Sequence, residues 1–225
     1  MKKNIFVKTK NVKAFISMVT KLKQTPKNLP RMGLVYGEPG LGKTHAIVWL
    51  MLKQNAVVVT AKNGMTTRWF LSELVSELGE TPSFHVSALF EQATIKLIEK
   101  PKILIVDEID YLVNESRTIE TIRDLHDKTG IPILLVGMGS VDKKLRRYHH
   151  LFDRIVEIYR FLPFDEEDVR EIVKTLADVE IDDEVISLIY KKGNRFRQIV
   201  KQIAKIEEIA ITNECKIIRK EDLGW

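Results

Sequence analysis

The sequence has 225 residues, of which 44% are hydrophobic and 30% are charged, and its formal net charge is +5. This size and composition predict one globular domain, or a larger and a smaller one, and exclude a disordered chain or a collagen-like repeat. A single cysteine, Cys215, excludes an internal disulfide and a cysteine-based metal site. The sequence has neither a long apolar run nor a signal-peptide core, so we expect a cytoplasmic protein without a transmembrane helix.

The positive charge is unevenly distributed. Residues 1–31 contain nine Lys or Arg and no acid, whereas the rest of the chain carries a net charge of −4. A second acid-free stretch, residues 185–206, contains six basic residues. Such clusters attract polyanions, including nucleic acids, but they are also typical of an ordinary solvated surface.

Short apolar runs alternate with helical patterns over the first two thirds of the chain. The runs predict β-strands at Met32–Tyr36, Ala56–Thr60, Lys102–Val106, Ile131–Gly137 and Ile155–Tyr159. The segments between them predict helices at His45–Lys53, Thr67–Leu78, Ser87–Glu99 and Ile119–Lys128. This order predicts an α/β fold, with a five-stranded parallel sheet covered by helices on both faces.

Beyond Pro163 the pattern is helical only. Helices are predicted at Glu166–Ala177, Asp183–Lys192 and Arg195–Asn213. Asp165, with Asp168 three residues later, has the spacing of an N-cap with an acidic capping partner. We therefore predict an α/β domain over residues 1–164 and a small all-helical lid domain over residues 165–225.

A phosphate-binding motif follows the first predicted strand. The pattern GxxxxGK[ST] consists of Gly37, Glu38, Pro39, Gly40, Leu41, Gly42, Lys43 and Thr44. The glycines allow backbone N–H groups to point at phosphate oxygens, and the following helix adds its positive N-terminal end. Lys43 is expected to reach the β- and γ-phosphates, and Thr44 to bind Mg²⁺. His45 follows directly and is included in the predicted nucleotide site.

A pair of acids follows the third predicted strand. Asp107 and Glu108 come directly after the apolar run Ile103–Val106, at the strand end where α/β sheets place their ligands. Asp107 is expected to hold Mg²⁺, usually through water, and Glu108 to act as the base that orients the attacking water. Together with the motif upstream, the pair predicts an ATPase that uses ATP and Mg²⁺.

The motifs GEPGLGKT and ILIVDE, with the helical tail, resemble those of the AAA+ ATPases. Three further stretches look like the transposition regulators of the phage Mu B protein type, to which IstB-type and TnsC-type ATPases are related in function. They read FVKTKNVKAFI, AKNGMTTRWFLSELVSELG and LVGMGSVDKKLRRYHHLFDRI. The Mu B protein carries in addition an N-terminal helix-turn-helix domain, for which this sequence has no counterpart.

The resemblance implies a function and several site residues. Proteins of this type assemble on duplex DNA with ATP, deliver target DNA to a DDE transposase and release DNA after hydrolysis. Sensor 1 is then expected in residues 137–140, with Ser140 as the candidate. An arginine finger acting on a neighbouring copy is expected at Arg154, with Arg146 and Arg147 as the next choices. Sensor 2 is expected at Arg197 rather than Arg195.

The loop and helix after the second strand are the predicted DNA contacts. They offer short polar and cationic groups suited to phosphate oxygens, without an evident base-reading arrangement. The predicted contacts are Lys62, Thr66, Thr67 and Arg68, with Arg117 from the loop after the acidic pair. Trp69 and Phe70 are predicted to be core residues rather than platforms for base stacking. Binding is expected to be non-specific and strongly salt-dependent.

Three alternatives remain at this point. A helicase loader or replication initiator would have the same ATPase core and similar basic surfaces. A P-loop small-molecule kinase would have a similar length but normally lacks the catalytic Glu of the acidic pair and the helical lid. A bacterial ATPase in secretion or signalling is supported by fold analogy alone.

Overall fold

The computed structural model describes residues 6–223, which form two compact units. The sheet unit comprises residues 14–37 and 43–160. The C-terminal unit comprises, within the described residues, residues 6–13, 38–42 and 161–223. The division thus places an N-terminal segment and five residues of the phosphate-binding motif with the C-terminal helices, which the sequence did not predict.

The sheet unit has five parallel strands in the order β2-β3-β4-β1-β5, which confirms the predicted fold. The strands are β1 (Met32–Tyr36), β2 (Ala56–Thr60), β3 (Ile103–Asp107), β4 (Ile133–Gly137) and β5 (Ile155–Arg160). The helices are α2 (Lys43–Lys53), α3 (Thr67–Glu77), α4 (Val86–Glu99), α5 (Ser116–Thr129), α6 (Val141–Leu145) and α7 (His149–Phe152). A 3-10 turn, Ile109–Tyr111, lies between β3 and α5.

The burial of each strand explains its sequence pattern. Every residue of β3 and β4 is buried, because both strands are central and covered on both faces. The edge strand β5 alternates half-buried and exposed residues, as expected where one face is open. Short continuous apolar runs therefore identified the central strands correctly.

The parallel arrangement brings several strand ends together. Thr60 pairs with Asp107, and Tyr36 pairs with Gly137. Because all five strands run in the same direction, the residues that follow β1, β3 and β4 meet at one edge of the sheet. This edge carries the candidate phosphate-binding and acidic residues of the sheet unit.

An N-terminal helix, α1 (Lys10–Gln24), was not predicted. Its part in the sheet unit buries Met18 and Leu22 against β1. Gly33 makes this close approach possible, since a Cβ at that position would lie 2.8 Å from Leu22 Cδ1. The segment is rich in lysine, so its apolar residues were not recognised as one face of an amphipathic helix.

The described part of the C-terminal unit contains three long helices and one small sheet. The helices are α8 (Glu166–Leu176), α9 (Asp183–Lys192) and α10 (Phe196–Thr212). Asp165 caps α8 as predicted, since its Oδ1 accepts a hydrogen bond of 2.9 Å from the N–H of Asp168. The prediction of a unit with helices only is wrong in one respect: β6 (Glu180–Ile181) and β7 (Ile217–Ile218) form a parallel pair. Strands of two residues are too short to show a periodic pattern.

The beginning of α1 is held within the C-terminal unit. The side-chain amide of Asn11 donates to the carbonyl of Leu162 at 2.8 Å, and its oxygen accepts from the N–H of Leu162 at 3.1 Å. The backbone N–H of Lys10 donates to Asp168 Oδ1 at 2.8 Å. These bonds fix residues 10–11 to the start of the C-terminal helices.

Among residues 6–223, the structure contains no helix with the length and apolar character needed to span a bilayer.

Candidate functional site

The phosphate-binding motif has the backbone that its glycines predict. Gly40 and Gly42 have φ angles of +79° and +91°, a region that residues with a Cβ rarely adopt. Helix α2 begins at Lys43, so its first free N–H groups follow the glycine turn directly. The loop therefore has the form of an anion-binding turn at a helix N-terminus.

The side chain of Lys43 reaches back to the end of β1. Lys43 Nζ donates a hydrogen bond of 2.6 Å to the carbonyl oxygen of Gly37. The side chains of Thr44 and His45, the next two residues of α2, are exposed. Lys43 and Thr44 are thus at the helix start, where a phosphate chain would meet them.

The acidic pair begins at the last residue of β3. Asp107 is 8% exposed, and its Oδ1 accepts a hydrogen bond of 2.9 Å from the N–H of Glu108. Burial raises the pKa of Asp107, while this hydrogen bond and the positive charge of Lys43 act in the opposite direction. Asp107 ends β3 and Lys43 follows β1, so the two residues lie at the same end of the parallel sheet.

Glu108 has a strained backbone. Its φ and ψ are 56° and 36°, in the left-handed region that non-glycine residues adopt rarely. Such conformations cost about 1–3 kcal/mol and are concentrated at functional sites. The half-buried Glu108 begins the 3-10 turn Ile109–Tyr111 and is joined to it by a 3.0 Å bond from the N–H of Tyr111 to its carbonyl.

Within the sheet unit, Lys43, Thr44 and Asp107 fit a nucleoside triphosphate with Mg²⁺. Lys43 supplies a cation for phosphate oxygens. The carboxylate of Asp107 and the hydroxyl of Thr44 are oxygen ligands, which Mg²⁺ prefers. The predicted nucleotide and metal residues of the sheet unit are thus at one sheet edge, while their roles remain predictions.

The segment after β4, predicted to hold sensor 1, contacts the acidic turn. Asp110 Oδ2 accepts a hydrogen bond of 2.6 Å from the N–H of Met138. Ser140, the candidate sensor, is exposed and precedes α6 without a side-chain cap bond. From the sequence, Asp110 could support the site or cap a helix, and its partner could not be predicted because it is a backbone group 28 residues away.

Within the C-terminal unit, the start of α10 contacts the glycine loop. The N–H of Phe196 donates a hydrogen bond of 2.7 Å to the carbonyl of Gly40. A Cβ at Gly40 would lie 3.7 Å from Arg195 Cβ, so Arg195 also flanks the loop. Arg197, the predicted sensor 2, is exposed on the first turn of α10. The loop contacts observed here thus come from Arg195 and Phe196, which lie two residues and one residue before the predicted Arg197.

The three candidate finger arginines differ in how firmly they are held. Arg154 donates to Asp127 Oδ2 at 2.9 Å and to the carbonyl of His150 at 3.1 Å. Its own carbonyl accepts from the N–H of Met32, the first residue of β1. Arg154 therefore lies at the opposite end of β1 from the phosphate motif, about 13 Å along the strand.

Arg146 and Arg147 follow α6. Arg147 is bound to the carbonyl of Val113 and donates to Asn114 Oδ1 at 2.9 Å. Arg146 is exposed, and its guanidinium lies 4.8 Å from the ring centroid of Phe152. The side chains of Arg147 and Arg154 are thus held by hydrogen bonds, whereas the exposed Arg146 is held by a ring contact.

One hydrogen bond joins the two helix starts that carry most of the predicted DNA contacts. The hydroxyls of Thr67 and Thr118 lie 2.9 Å apart, so the start of α3 meets the start of α5. Arg68 and Arg117, the neighbours of these threonines in sequence, are both exposed. Thr66 is the N-cap of α3 and accepts a 3.3 Å bond from the N–H of Trp69. Thr67 is only half-buried, but its hydroxyl already has a partner inside the protein.

Lys62, the remaining predicted DNA contact, lies beside Trp69, with its Nζ 5.4 Å from the ring centroid. Phe70 is fully buried as predicted, whereas the prediction of Trp69 as a core residue is wrong, since it is 40% exposed. Trp69 Nε1 donates to Glu73 Oε1 at 3.0 Å, and Lys62 Nζ binds the same oxygen at 2.5 Å. A polar ring edge and a carboxylate on the outer face of α3 keep this tryptophan at the surface.

A further exposed aromatic residue lies in the loop before α4. Phe84 is 71% exposed, and the guanidinium of Arg68 lies 4.1 Å from its ring centroid. Arg68 is therefore held by a cation–π contact but remains open to solvent. No sequence pattern indicated this pairing.

One curated relative is similar to part of the chain. It is a potential ATP-binding protein of Staphylococcus aureus, 29% identical over 159 residues, which cover 66% of this chain and 55% of the relative. The chain thus spans about half the length of that relative.

Solved structures share the fold. The ORC1 protein of Aeropyrum pernix, in complex with DNA, has a TM-score of 0.61 and 18% identity, covering 94% of this chain and 62% of that one. Domain III of the replication initiation protein DnaA of Thermotoga maritima also has a TM-score of 0.61 and 18% identity, covering 98% of this chain and 92% of that one. At these identities the likeness shows the fold alone.

A family model described as an AAA domain matches residues 27–145, which contain the phosphate motif, the acidic pair and the segment after β4. The match covers more than half of the sequence. The chain therefore belongs to the AAA domain family.

Proposed function

We propose that this chain is an ATPase that binds duplex DNA without sequence specificity in its ATP state and releases it after hydrolysis. The observation that carries the proposal is the meeting of Lys43, Asp107 and Glu108 at one sheet edge of an AAA domain. In a domain of this family, that arrangement supports ATP binding and hydrolysis.

Each residue has a defined part in the proposed reaction. Lys43 binds the β- and γ-phosphates, and the N–H groups of the glycine loop bind the remaining phosphate oxygens. Glu108 orients a water molecule and accepts its proton as the water oxygen attacks the γ-phosphorus. The bond between the γ-phosphorus and the bridging oxygen breaks, and ADP and phosphate are released. Mg²⁺, held by Asp107 and Thr44, would neutralise phosphate charge.

An arginine of a second copy is proposed to complete the site. A guanidinium can bind two γ-phosphate oxygens in a fixed geometry, which stabilises the charge of the transition state. Arg154 was the first choice from the sequence, but its ion pair with Asp127 would have to break. The exposed Arg146 needs no such change. We therefore propose Arg146 as the arginine that acts on the ATP of a neighbouring copy, which requires the chain to self-associate.

The DNA surface is proposed at the joined starts of α3 and α5. Arg68 and Arg117 are exposed there and offer cations to phosphate oxygens, with the Thr66 hydroxyl at the same helix start as Arg68. Lys62 would add a third cation by exchanging its ion pair with Glu73 for a phosphate. These groups provide charge rather than base-edge recognition, so the affinity should not depend on sequence. The likeness to a DNA-bound ORC1 structure is consistent with this role.

A finer proposal concerns the partner. The three stretches that resemble Mu B-type regulators support a role in delivering target DNA to a DDE transposase. The second candidate is a helicase loader or replication initiator, and the likeness to domain III of the replication initiation protein DnaA favours it. Pull-down with the protein bound to DNA and ATPγS distinguishes the two candidates. Recovery of a transposase supports the role in transposition, and recovery of a replicative helicase supports the loader or initiator.

The test of the shared proposal is DNA binding in different nucleotide states. Fluorescence anisotropy with a random-sequence duplex is measured with ATPγS, with ADP and without nucleotide. We expect tight, cooperative binding with ATPγS alone. Equal binding in the three states would contradict coupling between the nucleotide site and DNA, and no binding in any state would contradict the DNA role.

A further inference from the structure

The side chain of Asp110 joins the ends of two neighbouring strands. Asp110 lies in the 3-10 turn that follows Glu108, and its Oδ2 accepts the 2.6 Å hydrogen bond from the N–H of Met138. Met138 is the first residue after β4, and β3 and β4 are parallel neighbours in the sheet. One carboxylate thus links the acidic turn to the segment that follows β4.

The glycine at the end of β4 makes this link possible. A Cβ on Gly137 would lie 2.7 Å from Asp110 Oδ2, 2.8 Å from Val141 Cγ1 and 3.0 Å from Ile109 Cγ2. The first two distances are closer than a carbon atom can approach these groups. Gly137 has no positive φ, so the space required by its neighbours, rather than its backbone conformation, explains the glycine.

The link bears on the backbone of Glu108. A left-handed non-glycine residue persists only where its surroundings hold it in place. On one side, the N–H of Glu108 donates to Asp107 Oδ1 at 2.9 Å. On the other side, the turn Ile109–Tyr111 continues the chain, and Asp110 anchors that turn to Met138.

We propose that Asp110 is a positioning residue that anchors the Glu108 turn to the end of β4. It keeps the carboxylate of Glu108 and residues 137–140, the expected sensor 1 segment, in a fixed relation on one side of the γ-phosphate. A misplacement of about 1 Å in such a site can reduce turnover by two orders of magnitude. This inference rests on the proposed ATPase function and assigns one part of its geometry.

The test compares three substitutions in the full chain. Asp110→Ala removes the acceptor, Asp110→Asn retains an oxygen acceptor without the charge, and Gly137→Ala places a methyl group against the carboxylate. Glu115→Ala, an exposed acid in the same connection, is the control. For each variant we measure kcat, KM for ATP, affinity for ATPγS, Tm, and hydrogen exchange of residues 109–112 and 137–141 without nucleotide.

We expect Asp110→Ala and Gly137→Ala to lower kcat about 10- to 100-fold, with KM and ATPγS affinity within about threefold. In these two variants, hydrogen exchange of residues 109–112 and 137–141 should accelerate, most of all at the Met138 amide. Asp110→Asn should retain most of the wild-type kcat and most of the protection from exchange. Normal turnover in Asp110→Ala overturns the proposal. A loss of kcat that comes with a similar fold loss of ATPγS affinity and a lower Tm also overturns it, because it indicates general damage to the fold.

Failure of the proposed function has a separate signature. If the wild-type protein binds no ATPγS and hydrolyses no ATP, with or without DNA, the ATPase proposal fails. Hydrogen exchange then still decides the anchoring role. Unchanged exchange in Asp110→Ala overturns it, and acceleration confined to residues 109–112 and 137–141 supports it.

Discussion

The hydroxyl groups of Thr67 and Thr118 share a hydrogen bond of 2.9 Å, although 51 residues separate them in the chain. Thr118 is fully buried, so this bond fixes the first turn of α3 to the first turn of α5. Arg68 and Arg117 thus lie on adjoining helix starts, and both residues are exposed. Two exposed cations on adjoining helix starts are suited to phosphate groups of a nucleic acid.

The first prediction concerns these two arginines. The double substitution Arg68→Ala and Arg117→Ala should weaken binding to all duplex sequences equally, since phosphate contacts carry no sequence information. Each lost phosphate contact lowers the slope of log K against log salt by about 0.9, so the double variant should lose about 2. Anisotropy titrations between about 50 and 200 mM salt, with ATPγS, measure both effects.

The control is Lys100→Ala, which removes an exposed cation just before β3, at the other end of the sheet. It should leave the salt slope unchanged. If the double variant keeps the wild-type slope of log K against log salt, the DNA surface lies elsewhere, even if the variant binds DNA more weakly.

The second prediction concerns Glu108. Glu108→Gln keeps the shape of the side chain and the same left-handed backbone, but it removes the proton acceptor. ATP hydrolysis should fall about 10²- to 10⁴-fold, with ATP affinity nearly unchanged and longer-lived DNA complexes. Single-turnover hydrolysis and dissociation from labelled DNA provide the measurements. Glu115→Gln is the control, and wild-type turnover in Glu108→Gln would remove Glu108 from its role.

The sequence predicted the sheet well, because each central strand is a short continuous apolar run between helical patterns. It also identified the residues of the phosphate motif and the acidic pair, whose chemistry is local. It missed contacts that depend on the register of neighbouring strands, such as Asp110 with Met138. It also misplaced Trp69, because an apolar ring on a helix indicates burial unless its polar partners, here Glu73, are known.

The third prediction separates the candidate finger arginines. Arg146→Ala should lower ATP turnover about 10³-fold, since a trans-acting arginine contributes about that much. It should leave Tm unchanged, because this side chain is exposed. Mixing Arg146→Ala with Lys43→Ala should restore part of the activity, since intact sites of the first then meet intact arginines of the second.

Lys143→Ala, an exposed cation on α6, is the control for charge in this region. Arg154→Ala gives a different result if Arg154 is structural: it should lower Tm by leaving Asp127 without its 2.9 Å partner. Restored activity in the mixture of Arg154→Ala and Lys43→Ala, with none for Arg146→Ala, would return the role to Arg154.

The fourth prediction concerns the start of α1. Asn11 is 3% exposed and satisfies both backbone groups of Leu162. Asn11→Ala should lower the free energy of unfolding by about 1–3 kcal/mol, because it removes both hydrogen bonds. Urea denaturation measures the change. Lys13→Ala, an exposed position on the same helix, should have little effect, and equal stability of the two variants would contradict the role of Asn11.

The last prediction concerns the buried His126. Its Nε2 accepts a 3.1 Å hydrogen bond from the N–H of Arg31, and its Nδ1 lies 3.1 Å from Asp127 Oδ1. Burial lowers the pKa of His126 below its ordinary value of 6.5. Asp127 acts in the opposite direction, whereas the charges of Arg154 and Arg31 add to the effect of burial.

The sign of the pH dependence follows from this pKa. Because the folded protein binds the proton less well than the unfolded chain, His126 contributes stability above about pH 6.5 that is lost as pH falls through its lower folded pKa. The free energy of unfolding should therefore fall as the pH drops below about 6.5, with a slope from this group of at most about 1.4 kcal/mol per pH unit. His126→Gln should flatten the profile in this window, whereas the exposed His85→Gln should leave it unchanged. Urea denaturation across the range measures both variants, and an unchanged slope in His126→Gln would show that other groups cause the acid sensitivity.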